Sequence, residues 1–318
     1  MRHRAPILLF PLFGILSATA QNGPALLGSG YGAPPSAGLS PGQIITFWVS
    51  GLNPIPGSPV QGPVPLTTQL AGISLKLSQL SYGMGFPLPT LPVPIFSIAQ
   101  TNNCIGLLTG QPSSTAPACV MTSITVQIPF ELVVDPFNFA PYTTLTITQD
   151  GVVSPSFNVT TAHDNVHILT CGGVLQPCIT HADGSLISPN SPPVAGETLT
   201  VYAVGLGATT PSIPSGQLTP TPAPTILGVY VDLVFGANAG PGASFLNPPP
   251  AGQSAKVTFA GLTPGQIGLY QINFQLPGVF PAIPNCGLNG TITVASNVAI
   301  NIETPFYSHD GVALCVQP

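Results

Sequence analysis

Between His163 and Asp183 the chain reads HDNVHILTCGGVLQPCITHAD, and seven side chains in these 21 residues could do chemistry: His163, Asp164, His167, Cys171, Cys178, His181 and Asp183. Two thiolates and two or three imidazoles would fill the tetrahedral shell of a zinc ion. The C-x6-C and H-x3-H spacings match no zinc module, however, and in an oxidising compartment the two cysteines pair with each other. The expectation is a disulfide-closed loop carrying solvated histidines, with no metal and no cofactor. Calcium is a second candidate, because Asp150, Asp183 and Asp310 each precede glycine. Calcium takes six to eight oxygens and each pair offers one carboxylate, so tight turns are the expected explanation.

Hydrolase chemistry has less support. The one G-x-S-x-G run, GLSPG (38–42), overlaps the SPGQ turn and anchors no nucleophile elbow, and the nine acidic residues include no close pair of the kind a glycosidase uses. Gly28, Gly30 and Gly32 follow no strand signal and precede no phosphate-binding lysine, so they read as an N-terminal linker. No catalytic residue is assigned and the chain is expected not to be an enzyme. Trp48, the sole tryptophan, alternates with Thr46 and Ser50 and falls on the outward face of its strand. An aromatic flanked by hydroxyls stacks on a sugar ring or anchors a partner. The favoured alternative is that it packs against the connector or the other half of the chain.

The elements that must position these residues are bounded by composition. The first twenty residues carry Arg2, His3 and Arg4, an apolar run from Ile7 to Leu16, and Ala18-Thr19-Ala20, the pattern of a secretory signal (1–20). Beyond it, no apolar run is long enough to span a bilayer. Removing it leaves Lys76 and Lys256 against nine acids, a net charge of −7. Nothing there could neutralise phosphates, so nucleic acid and anionic membranes are excluded as partners. The 75 prolines and glycines would suggest disorder, but 44% hydrophobic content argues for short strands punctuated by turns. Six cysteines in an exported chain read as disulfides. Nearest-neighbour pairing joins Cys104 to Cys119, Cys171 to Cys178 and Cys286 to Cys315, each bridge closing one local unit. The absence of C-x-x-C argues against a thioredoxin-like site.

Self-similarity organises the rest. ITFWVSGL (45–52) matches LTVYAVGL (199–206), AGISLKL (71–77) matches LGVYVDL (227–233), ITVQIP (124–129) matches INFQLP (272–277), and SFNV (156–159) matches AINI (299–302). The order is kept, which reads as a tandem duplication. Every matched piece alternates with period two: Ile45, Phe47 and Val49 share one face, as do Tyr270, Ile272, Phe274 and Leu276, with Gln271, Asn273 and Gln275 opposite. Asp150-Gly151 suits a two-residue hairpin turn, with Ser296-Asn297 at the corresponding place in the second half. SPGQ (40–43) and TPGQ (263–266) suit type II turns. The fold class is all-β: two tandem immunoglobulin-like antiparallel β-sandwich domains, residues 21–160 and 161–318. The second begins with a connector hairpin whose arms are VHILT and CITHA.

WVSGLNP, YAVGLGA, ADGSLISPNSPPVAGETLTVYAVGLG and above all FAGLTPGQIGLYQINFQLP resemble the uncharacterised carboxy-terminal domain family abundant in exported proteins of soil acidobacteria. The likeness runs from about residue 23 to the end. The first half departs from the pattern, with CVMTSITVQIPFEL where a PGQINFQVP-like run is usual, after an insertion holding Cys104 and Cys119. The resemblance implies an exported tandem immunoglobulin-like sandwich and brings no activity and no catalytic residues.

The functional expectation is a non-catalytic structural or binding module, secreted or at the cell surface, whose partner is an extracellular protein or polysaccharide. The alternative is a carbohydrate- or polymer-binding accessory; a metal-dependent hydrolase is the remote third. With 4% charged residues, exposed sheet edges lack lysine gatekeepers. Strand-end prolines such as Pro129 and Pro277 serve that purpose instead, and edge-to-edge association is expected.

Overall fold

A computed structural model describes residues 24–31, 38–81, 85–102, 120–134, 142–171, 176–241, 254–289, 292–306 and 308–318. All regular structure among them is strand. The first half contains β1 (Ala25–Gly30), β2 (Ile44–Ser50), β3 (Val60–Gln61), β4 (Gln69–Leu70), β5 (Ile73–Leu80), β6 (Leu91–Pro92), β7 (Ile95–Asn102), β8 (Val120–Gln127), β9 (Tyr142–Gln149), β10 (Val152–Val153) and β11 (Phe157–Val159). One sheet runs β1-β2-β8-β7-β3 and the other β10-β9-β5-β4, with β11 on β9 and β6 on β5. Every strand pair is antiparallel. The alternation sends Ile45, Phe47, Val49, Ile124 and Val126 from one sheet against Ile73, Leu75, Leu77, Leu145 and Ile147 from the other. Burying each such side chain stabilises the fold by about 1.5–3 kcal/mol.

The second half contains β12 (His167–Ile168), β13 (Ile179–Thr180), β14 (Thr198–Val204), β15 (Tyr230–Phe235), β16 (Ser254–Leu262), β17 (Tyr270–Gln275), β18 (Gly287–Asn289), β19 (Ile292–Val294), β20 (Val298–Glu303) and β21 (His309–Leu314). Its main sheet runs β12-β14-β17-β16-β15-β20-β21, with β13 also on β14. β16 turns the corner between two layers: Ser254 and Ala255 pair with β15, whereas Lys256 to Leu262 pair with β17 across a bulge at Val257/Phe259. A bulge bends and twists its strand, which lets one strand serve both layers. Leu199, Val201, Tyr270, Ile272 and Phe274 face Val231, Leu233, Val298, Ile300 and Ile302 across the second core. The two end strands are sewn together by side chains, Val166 N–H donating to Ser308 Oγ (2.9 Å) and Ile168 N–H to Asp310 Oδ2 (2.7 Å).

The pairing order is alike in the halves: β2 on β8 and β5 on β9 in the first, β14 on β17 and β15 on β20 in the second. This corrects one sequence match. Because Ile73 pairs with Gln149 and Tyr230 with Glu303, the strand equivalent to AINI is β9, not SFNV of β11. The turn equivalent to Asp150-Gly151 then follows Glu303, where the Thr304 amide donates to the Ser308 carbonyl, and Ser296-Asn297 precedes β20. Both strands of the hairpin alternate, so periodicity alone could not say which one meets β5.

Turn chemistry is as read. Asp150 (φ +50°) and Gly151 (φ +84°) form the hairpin turn, and Gly42 (φ +73°) and Gly265 (φ +70°) occupy the third position of their turns. Gly28 and Gly30 are a further correction: they lie in β1, not a linker, with Gly28 opposite Trp48 beside a bulge. A glycine beside a bulge is tolerated in an edge strand, and here it also faces the largest side chain of β2. The connector does not form a hairpin of two long arms. β12 and β13 lie end to end along β14, and the arms touch each other at one bridge, Thr170 with Pro177.

Candidate functional site

The structure disperses the connector cluster. Cys171 and Cys178 form a disulfide across the Thr170–Pro177 bridge, Cα atoms 4.9 Å apart. Each histidine takes a different partner. His163 stacks on Phe306, ring centroids 4.1 Å apart. His167 Nδ1 lies 3.1 Å from Asp310 Oδ2 while its ring stacks on Tyr31 at 4.3 Å. His181 Nδ1 meets Glu197 Oε1, and its Nε2 lies 3.1 Å from both Oγ and the carbonyl oxygen of Ser191. Among the described residues no three His, Cys, Asp or Glu side chains converge as metal ligands. Cys286 and Cys315 form a second disulfide, Cα atoms 6.0 Å apart. Cys104 and Cys119 lie outside the described residues.

Electrostatics follow from these partners. Asp164 is buried and accepts the Phe306 N–H at 3.2 Å. Burial pushes its carboxyl up despite hydrogen bonds from Thr304 and Ser308. Burial acts the same way on Asp310, but His167 and the Ile168 and Gly311 amides outweigh it and hold that carboxyl low. Burial raises the Tyr31 phenol, against the opposing hydrogen bond from Gln43. Glu197 raises the His181 imidazole. The three Asp-Gly pairs are all spent on turns or local bonds: Asp150 in its hairpin, Asp183 Oδ1 accepting the Ser185 amide and hydroxyl, and Asp310 on its amides.

His167 belongs to a polar seam between the halves. Gln43 Nε2 donates to Tyr31 Oη, whose hydroxyl donates to the Asn165 carbonyl at 2.8 Å; Asn165 Nδ2 donates to the Gly38 carbonyl at 3.0 Å. Further along, the Gly216 amide donates to buried Gln127 Oε1 at 2.6 Å and the Phe130 amide to Ser215 Oγ at 2.8 Å. Ser215 in turn donates to Glu131 Oε2 at 2.6 Å. Gly42 and Gly268 permit this approach. A Cβ on Gly42 would lie 2.1 Å from the Phe130 ring and 2.7 Å from Tyr270 Oη, and one on Gly268 would lie 2.9 Å from the Gly42 carbonyl. Tyr270, fully buried, donates to the Gly207 carbonyl at 2.6 Å. A cavity of about 380 Å³ opens along the seam between Pro41, Leu132, His163, Leu206, Leu227 and Phe306.

Trp48 is half-buried on the outward face of its sheet, between Gly28 and Ser123 on the neighbouring strands. Beside it Thr46 and Thr125 share a hydroxyl hydrogen bond of 2.9 Å. On the other half, Thr200 Oγ1 donates to Asn273 Oδ1 at 3.2 Å and Gln275 Nε2 to the Gly196 carbonyl at 3.1 Å, so much of that polar face is self-satisfied.

No protein-family model matches this chain, and no curated protein matches it. The residues that sequence reasoning missed are Tyr31, Gln43, Gln127, Ser191 and Glu197. Each is a common strand or turn residue whose partner lies across a turn or in the other half, so spacing gives no signal. Among the described residues no helix is long and apolar enough to cross a membrane.

Proposed function

We propose that the chain is an exported structural module. Two immunoglobulin-like sandwiches, related by tandem duplication over 21–160 and 161–318, are held as one stiff body that engages an extracellular protein or polysaccharide. The observation that carries this reading is the seam. The run TPGQIGLY, which attracts attention as a signature, sets Gly268 and Tyr270 against Gly42, so its buried end joins the halves while the turn at Pro264, Gly265 and Gln266 is exposed. The amino-terminal signal pattern, the two disulfides and the resemblance to the exported acidobacterial family support the extracellular setting. NMR relaxation of backbone amides should give one rotational correlation time for both halves. Two independent values would sink the reading.

Trp48 favours a second reading, a polysaccharide-binding face, because an aromatic set among glycine and hydroxyl neighbours leaves room for a sugar ring. Trp48 emission unchanged by soluble polysaccharides would remove it.

A further inference from the structure

We infer that Ser191, His181 and Glu197 form an acyl-transfer site acting on carboxylic esters. The three side chains have the geometry of a nucleophile, its base and the group that orients the base. Ser191 Oγ lies 3.1 Å from His181 Nε2, and the other ring nitrogen, Nδ1, meets Glu197 Oε1. The second carboxylate oxygen is not idle: Glu197 Oε2 accepts the Val194 amide at 2.9 Å. With Nδ1–H donating to the carboxylate, Nε2 of the neutral ring carries the lone pair that receives the serine proton, while in the protonated ring Nε2–H donates to the Ser191 carbonyl, also 3.1 Å away.

Three separate turns assemble the site. His181 follows β13 and its amide donates to the Ser185 carbonyl at 2.9 Å; Ser191 closes a tight turn with Ser188, exchanging amide bonds of 3.0 and 3.2 Å; Glu197 sits just before β14 and its carbonyl accepts the Leu276 amide at 2.9 Å. His181 and Glu197 are mostly covered, their side chains 14% and 19% exposed, whereas Ser191 is exposed to solvent. A shielded base and acid beneath an open nucleophile is the arrangement a surface ester requires. Pro189 lines two neighbouring grooves of about 300 and 440 Å³ and Pro192 the larger of them, but none of the three triad residues lines either.

In the first step Ser191 Oγ bonds to the ester carbonyl carbon, its proton passes to His181 Nε2, and the carbon–alkoxy bond breaks as that proton moves to the departing alcohol. Water then attacks the acyl-serine, giving its proton to Nε2, and the carboxylic acid leaves as Ser191 Oγ regains a proton. Ser191 N–H is engaged by the Ser188 carbonyl and Pro192 and Pro193 have no N–H. The nucleophile's own segment therefore supplies no oxyanion donor, a lack worth about 10²–10³-fold in rate. General-base assistance of about 10²–10⁴-fold remains. Because Glu197 raises His181, the lone pair becomes available at a pH above the ordinary histidine range.

The test uses the full chain after signal removal, treated with a fluorophosphonate and with p-nitrophenyl acetate, and peptide mass spectrometry to locate the adduct. The expected result is modification at Ser191, with a rate that rises through one histidine-type inflection. It should be abolished in Ser191→Ala and reduced about a hundredfold or more in His181→Gln. Thermal melts of the variants check folding. The wild-type pH profile stands independently, since a merely structural serine shows no such inflection. An unmodified Ser191, a flat profile, or equal labelling in a folded His181→Gln protein overturns the inference.

Discussion

Asp310 closes the second half by accepting the Ile168 amide and pairing with His167, which itself stacks on Tyr31. Burial alone would raise its carboxyl, yet these bonds depress it. A depressed carboxyl contributes stability that is present above the unfolded value and lost as pH falls through the folded one, below about 4. Asp310→Asn should therefore cost about 1–3 kcal/mol at neutral pH, where a charged hydrogen-bonding group is lost. It should also flatten the acid limb of the stability profile. Urea titrations at neutral and acid pH check this, and identical pH dependence in the two proteins would refute it. The proposed Ser191 site obeys the opposite sign, since a raised His181 favours the folded state at lower pH.

The strands themselves are where local sequence and fold agree most closely. Gly51 and Gly205, the glycines of the two Gly-Leu pairs, have φ of +81° and +78°, and Leu52 and Leu206 after them are buried. The pair ends a strand in a conformation that side chains with a Cβ resist and returns an apolar residue to the core. At Gly205 the demand is sharper, since a Cβ would lie 2.1 Å from the Asn165 carbonyl oxygen; at Gly151 it would meet nothing within 4 Å. Gly151→Ala should thus cost only the left-handed backbone penalty of about 1–2 kcal/mol, and Gly205→Ala clearly more. Denaturant midpoints of the two variants rank them, and an equal loss would refute the close-approach argument. Alternation also placed Tyr270, Ile272, Phe274 and Leu276 inside from the sequence alone. What escaped were the side-chain hydrogen bonds that join separate segments. Gln43 and Gln127 look like ordinary strand-end polar residues, and Ser191 and Glu197 like turn residues, because nothing local distinguishes a side chain whose partner lies 10 to 89 residues away. Gly28 and Gly30 read as linker for a related reason: β1 exists by virtue of its pairing with β2, not its own propensity.

Across the molecule, the seam makes the halves interdependent. Gln127, fully buried, receives the Gly216 amide, and the Leu66 amide donates to the Gly216 carbonyl at 2.8 Å, so separating the halves would strand polar groups on both sides. One cooperative unfolding transition is expected for the native chain. Gly42→Val, driving a side chain into Phe130 and Tyr270, should split it into two in a calorimetric scan. A single, merely lowered transition would show that the seam is not what couples them. The Cys286–Cys315 bridge has a mechanical consequence. A pull applied at Val316 passes covalently from Cys315 to Cys286 and enters the chain ahead of β18. The 29-residue separation that the bridge spans, holding β18 to β21, lies outside the load path. About 100 Å of contour length thus stays locked away from tension on the chain.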